Sequence, residues 1–207
     1  FNNNIVSIIQ PNKKEFCNGM RGLREFGDKL KSKKPKWLGR FIFIAEYFGV
    51  PFFNDITANI KVFQRKTEYN LNQSKEIFKN DEDVDEEQLL KEIIERYYPE
   101  TAIEINKLLK KANTFLNFCK RKKEQIQIET YPQLEIETST YEHHSDNFYS
   151  EDLPEITDIN KSVLDTKYYL NMFIDVLIEN LSEMVEKIKT EMLKFEILSK
   201  TKLGGSA

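Results

Sequence analysis

The residues best suited to chemistry in this chain are few: the adjacent pair His143 and His144, and the two thiols Cys17 and Cys119. Two neighbouring imidazoles cannot both face one metal ion from a regular helix or strand, and no third ligand stands at helix spacing from them. With no other histidine, a Ser-His-Asp or Cys-His arrangement has only this pair to draw on. The two cysteines are about a hundred residues apart, which matches no zinc spacing and no redox motif. Two buried free thiols are the expected state, with a single disulfide as the alternative. There is no Gly-rich phosphate loop, nucleophile elbow or zinc-activating pair. The acids are numerous but lie in polar runs, where a solvated surface explains them. The sequons beginning at Asn72, Asn160 and Asn180 include one inside a strongly periodic helix and are taken as chance. The chain is therefore expected to be non-enzymatic, with no metal and no cofactor.

Charge has more direction than nucleophiles do. Residues 13–40 carry ten bases against Glu15, Glu25 and Asp28, and residues 124–160 carry ten acids and no lysine or arginine. The basic run ends in KSKKPKWLGR, which places Lys33, Lys34, Lys36 and Arg40 around the only tryptophan, Trp37. Bases interleaved with an aromatic side chain suit an acidic protein or the phosphates and bases of RNA. The preferred reading of this charge split is internal: the acidic segment folds back on the basic face. The net charge of −3 gives no global attraction to nucleic acid or anionic membrane.

These residues need elements to hold them. The chain has 207 residues, 40% apolar and 31% charged, enough for one domain with a real core. Only 7 glycines and 6 prolines punctuate it, which favours long helices over β-architectures. The densest apolar block, Trp37–Phe53, is too short for a membrane span and contains Arg40, Glu46 and Pro51. IAEYFGVPFFNDITANIKVF has a small residue, a glycine and a hydrophobe where a helix-turn-helix wants them. Its second half, however, begins with Pro51, Phe52 and Phe53 rather than groove-reading polar residues. A helical hairpin fits better: Phe41, Ile44, Ala45 and Phe48 on one helix, Gly49 as its C-cap, Pro51 in the next first turn, then Phe53, Ile56, Ile60 and Phe63. Such a hairpin is the unit of helical bundles and of HEAT-like stacks. FIFIAEYFGVPFF resembles the hairpins of HEAT-type scaffold domains in translation factors, and no family is assigned from it.

Elsewhere a helix is expected over 13–32, weakened by Gly19, Gly22 and Gly27. Residues 64–83 read as a polar linker. Two helices follow on either side of Pro99, over 84–98 and 100–124. The period-two stretch QIQIETYPQLEIETSTY allows a small β-hairpin about Tyr131-Pro132-Gln133, but a flexible acidic insertion over 127–157 is preferred. SVLD at 162–165 resembles a capping box, and Leu170, Ile174, Leu177, Leu181, Met184 and Ile188 then step by 4 and 3 along a helix running to about residue 200.

The expected architecture is thus one all-α domain over 1–207. It is a helical bundle or short HEAT-like stack of five or six helices, with a flexible arm at 1–12, the acidic insertion, a long C-terminal helix and a flexible tail at 201–207. Its expected function is protein–protein interaction or scaffolding, with an RNA-binding adaptor using 29–40 as the alternative. The partner-binding residues are expected to be Lys33, Lys34, Lys36, Trp37 and Arg40, with Met192 and Phe195 near the end of the long helix. No membrane span is expected, and the oligomeric state is open. FNNNIVSIIQ has no signal-peptide pattern, so a cytoplasmic or nuclear site is expected. The opening Phe suggests a piece of a longer protein, which leaves an upstream signal open.

Overall fold

The computed structural model describes residues 5–140 and 158–200. Four long helices run through it: α1 (Ile5–Leu30), α2 (Leu38–Ile77), α3 (Glu86–Ile128) and α4 (Thr166–Lys200). They pack as a ring, α1 on α2, α2 on α3, α3 on α4 and α4 on α1. Among the described residues the only strands are β1 (Leu134–Thr140) and β2 (Asp158–Leu164). They pair antiparallel from Leu134↔Leu164 to Thr140↔Asp158 as a ribbon between α3 and α4. The protein is all-α in its core, as its composition implies. Residues 1–4, 141–157 and 201–207 lie outside the described residues, and with them His143, His144, most of the acidic insertion and the expected tail.

Among the described residues the long helices number four, not five or six, and they pack as a bundle rather than a HEAT-like stack. Neither expected break forms. Gly49 and Pro51 lie inside α2, which runs unbroken for 40 residues, and Pro99 lies inside α3, which runs for 43. No glycine among the described residues has a positive φ, so Gly49 is not the left-handed C-cap of a hairpin. Pro51 removes one intrahelical donor, but both it and Tyr47, whose carbonyl would have accepted it, are exposed to water. The missing bond is small against the apolar face that α2 keeps in register. Phe41, Ala45, Gly49, Phe52, Phe53, Ile56, Ile60 and Phe63 are buried with one helical phase on both sides of the proline. A hairpin would have reset that phase. Pro99 is also exposed, and Ile94 and Tyr98 stay in phase with Ile105, Leu108 and Leu109 beyond it.

Other boundaries move for the same reason. Ile5 and Ile9 are buried, so the expected flexible arm is helical from residue 5 on. The expected linker is α2 as far as Ile77, where Leu71 is still buried. Asp85 caps α3 by accepting from the Glu87 N–H at 3.0 Å. The fourth helix begins at Thr166, not near 159. Its cap is Asp165, whose carboxylate accepts from the N–H groups of Lys167 and Tyr168, and the preceding Ser162, Val163 and Leu164 end β2. The expected hairpin centre, Tyr131-Pro132-Gln133, is instead the exit from α3 into β1, because Gln127 and Ile128 are still helical.

Aromatic rings fill the core. The Phe16 ring of α1 meets Phe53 of α2 at 5.4 Å and Phe115 of α3 at 6.2 Å between centroids. It lies directly on Gly49: a β-carbon there would come within 2.3 Å of the Phe16 ring. Gly49 is therefore a close-approach glycine that lets α1 and α2 touch. Toward the end where α3 begins, Phe63, Tyr98 and Phe195 join α2, α3 and α4, and the buried Tyr98 hydroxyl donates to the Met192 carbonyl at 3.0 Å. Cys119 is buried as a free thiol, pushed up to about 12 by that burial, whereas Cys17, also free, is exposed.

Replacing Gly49 by alanine should destabilise the protein by roughly 1–3 kcal/mol, because the Phe16 ring must shift within a filled core. Gly39 sits in the same helix with nothing within 4 Å of its β-carbon position. Gly39→Ala should be neutral or stabilising by up to about 1 kcal/mol. Urea midpoints of the two variants check the contrast; equal midpoints would contradict the close-approach role.

Candidate functional site

At the end of the bundle where α1 stops and α2 starts, a 3-10 turn (Lys31–Lys33) reverses the chain, with Lys31 at a left-handed φ of 51°. The turn delivers the predicted basic residues to three different tasks. Lys33 donates to the Gln133 carbonyl at 3.3 Å, tying the turn to the start of the ribbon. Lys34 lays its alkyl chain beside Gly27 of α1. Lys36, exposed in the turn just before α2, and Arg40, exposed on α2, line a cleft with Trp37, Phe41, Ile44, Phe118 and Lys122.

Trp37 itself is largely committed inside the molecule. Its Nε1–H donates to the Tyr131 hydroxyl at 3.3 Å, and that hydroxyl donates to Glu129 Oε2 at 2.7 Å. Gln125 donates to Glu129 Oε1 at 2.5 Å and accepts from Lys122 Nζ at 2.7 Å. Lys122 Nζ stands 4.8 Å from the Trp37 ring centroid, a cation–π contact that closes the loop. The network shifts each titrating member. The Gln125 and Tyr131 hydrogen bonds hold the Glu129 carboxyl below the usual range. Burial, followed by the bond to Glu129, pushes Tyr131 up to about 12. Partial burial lowers Lys122, with Glu129 opposing and Arg40 reinforcing. This corner fastens the exit of α3 to the start of α2. An α4 hydroxyl joins it, as Thr166 Oγ1 donates to the Pro132 carbonyl at 2.8 Å.

Met192 and Phe195, expected to meet a partner, are instead core residues with 3% and 7% of their surface exposed. Phe195 packs edge-on to Phe63, and the Met192 carbonyl accepts from Tyr98. The seam of α4 is used up inside the bundle along its described length.

The surface that sequence reasoning missed is the outward face of α2. Phe43, Tyr47 and Val50 are 67%, 75% and 59% exposed, and the first two rings stack on each other at 6.3 Å. Their 4 and 3 spacing puts them on one stripe, continued toward the helix start by Arg40. The signal was present in the sequence: these residues are out of phase with Phe41, Ala45 and Phe52, so an amphipathic α2 must turn them away from the core. Beside the stripe, α1 and α2 frame a groove of about 400 Å³. Phe16, Met20, Val50 and Phe53 contribute its apolar surface, and Lys13, Arg21, Arg24 and Glu46 are among its polar lining. Arg24 forms an ion pair with Glu46, and Lys13 donates to Asn54 Oδ1 at 3.5 Å. A second unnoticed signal is in α3, where Lys107, Lys110, Lys111, Lys120, Arg121, Lys122 and Lys123 occur with no acid between residues 105 and 123.

Among the described residues, no group of histidines, cysteines or carboxylates is placed to hold a metal ion, and no helix is long and apolar enough to cross a membrane. No family model matches the chain, and no curated protein or solved structure is significantly similar to it.

Two measurements follow from these placements. Met192→Ala and Phe195→Ala should each cost roughly 2–5 kcal/mol of stability, as core truncations do; unchanged melting would return the end of α4 to the surface. The second concerns alkaline pH. The folded state holds the Tyr131 proton to about 12, while the unfolded chain releases it near 10.0. The unfolded state therefore binds fewer protons in that window, and the Tyr131 contribution is lost as pH rises from 10 toward 12. Urea unfolding at successive pH values should show wild type losing stability more steeply than Tyr131→Phe over that interval. Parallel curves would refute the assignment.

Proposed function

We propose that this chain is a non-catalytic protein-interaction or scaffold module whose partner docks on the outward face of α2. The observation that carries this reading is the exposed, mutually stacked pair Phe43 and Tyr47, extended by Val50. Each large apolar side chain taken out of water contributes about 1.5–3 kcal/mol. Aromatic residues set in a polar and charged surround are the usual anchors of protein interfaces. The predicted residue Arg40 lies on the same face and Lys36 stands beside it in the turn before α2, so part of the basic segment adjoins the site, while Trp37 is tied up inside the corner.

A second reading, an RNA-binding adaptor, draws on the cleft that brings Lys36, Arg40 and Lys122 around Trp37, Phe41 and Phe118. Three bases beside aromatic rings suit a phosphate backbone, and binding of that kind weakens steeply with salt.

Affinity capture with wild type and with Phe43→Asp/Tyr47→Asp separates these readings. The double substitution alters only exposed positions and should change stability by no more than about 0.5 kcal/mol. Proteins recovered by wild type should be lost with the variant, and the loss should be insensitive to nuclease treatment. Recovery of the same proteins by both baits would remove the α2 face from consideration. Loss of capture on nuclease treatment alone would favour the RNA reading.

A further inference from the structure

Building on the interaction reading above, we propose that the partner element is an acidic amphipathic helix. It lies along α2 and inserts an apolar side chain into the α1–α2 groove. The apolar part of the surface is continuous: Val50 belongs both to the exposed stripe and to the groove lined by Phe16, Met20 and Phe53. From Phe43 to Val50 the stripe spans two turns, about 10 Å, which matches apolar residues at i, i+3 or i+4, and i+7 of a facing helix. The groove of about 400 Å³ is large enough for one such side chain with room at its mouth. A furrow between two helices accepts a third helix by ridge-into-groove packing, whereas a strand would find no open backbone edge on α2 to pair with.

Charge selects the sign of the partner. Lys13 and Arg21 stand on the α1 side of the groove, Arg40 continues the stripe on α2, and Lys36 lines the adjoining cleft from the turn before the helix. The one carboxylate lining the groove, Glu46, is taken by Arg24. Among the described residues no carboxylate pairs with Arg21, Lys36 or Arg40. A second copy of the same face would bring like charges together, which disfavours self-association. In the basic cleft Lys122 stands over the Trp37 ring, which takes that ring face from base stacking.

The test uses the whole chain and three fluorescent probes: a synthetic acidic amphipathic helical peptide with Leu and Phe on one face and Glu on the other, the same peptide with Lys for every Glu, and an oligouridylate of similar length. Anisotropy titrations at moderate salt should show the acidic peptide binding at least about tenfold more tightly than the basic one. Tyr47→Asp should weaken the acidic peptide about tenfold or more without changing the melting temperature. Arg21→Glu/Arg40→Glu should invert the preference between the peptides. Equal binding of the two peptides, or indifference to Tyr47→Asp, would overturn the proposal. So would tighter binding of the oligouridylate, lost in Arg40→Glu, or a concentration-dependent dimer abolished by Tyr47→Asp. If the acidic peptide fails while Phe43→Asp/Tyr47→Asp still loses the captured proteins, the interaction reading stands and only the partner's chemistry is wrong. If both fail, neither reading survives.

Discussion

The contact between the Phe16 ring and Gly49 sets the geometry on which the other packing depends. A ring can approach a helix backbone this closely only where no β-carbon intervenes, and Gly49 supplies that gap between α1 and α2. The same ring reaches Phe53 on α2 and Phe115 on α3, so one side chain bridges three helices. Once α1 is seated there, the rotation of α2 about its own axis is fixed. Phe41, Ala45, Phe52 and Ile56 turn inward, and Phe43, Tyr47 and Val50 are left on the opposite side. The groove beside Val50 has the same origin, since its floor is the rim of the Phe16 contact.

The ends of the bundle are held by different means. At the end where α3 begins and α4 finishes aromatic burial suffices, with Phe63, Tyr98 and Phe195 in mutual contact and one hydroxyl satisfied by a backbone carbonyl. At the other end three connections meet: the turn between α1 and α2, the exit from α3, and the start of α4. Polar groups crowd there, and each must find a partner or lose solvation without return. The Trp37–Tyr131–Glu129–Gln125–Lys122 loop answers that requirement with hydrogen bonds and a ring–cation contact. It explains why the only tryptophan is placed among lysines without making it a free stacking platform.

Surface charge is divided between internal and external use. The ion pairs on α3 and α4, such as Lys187 with Glu183 and Lys123 with Asp175, sit at exposed positions where they contribute little. The bases around the α2 stripe differ in having an apolar surface beside them, from which a partner would displace water. Charge and apolar area together distinguish this corner from the rest of a highly charged surface.

By itself the sequence determined the all-α class, the long periodic α4 with its buried Leu170-to-Ile188 seam, and the concentration of bases near Trp37. Hydrophobic period and composition are local properties and need no knowledge of neighbours. Tertiary structure decided the rest. Gly49-Val50-Pro51 and Pro99 carry the local chemistry of helix ends, but burial of an in-phase apolar face outweighs one lost backbone bond when the proline faces water. Leu134–Thr140 finds its partner strand beyond the intervening acidic stretch rather than in the adjacent QIQIET, because Ile126 is already buried as part of α3. Met192 and Phe195 were legible as apolar positions, but whether an apolar seam meets its own bundle or a partner depends on helices distant in sequence. The same uncertainty, resolved the other way, hid Phe43 and Tyr47. Their exposure follows from the rotation of α2, and that rotation is set by a phenylalanine on another helix.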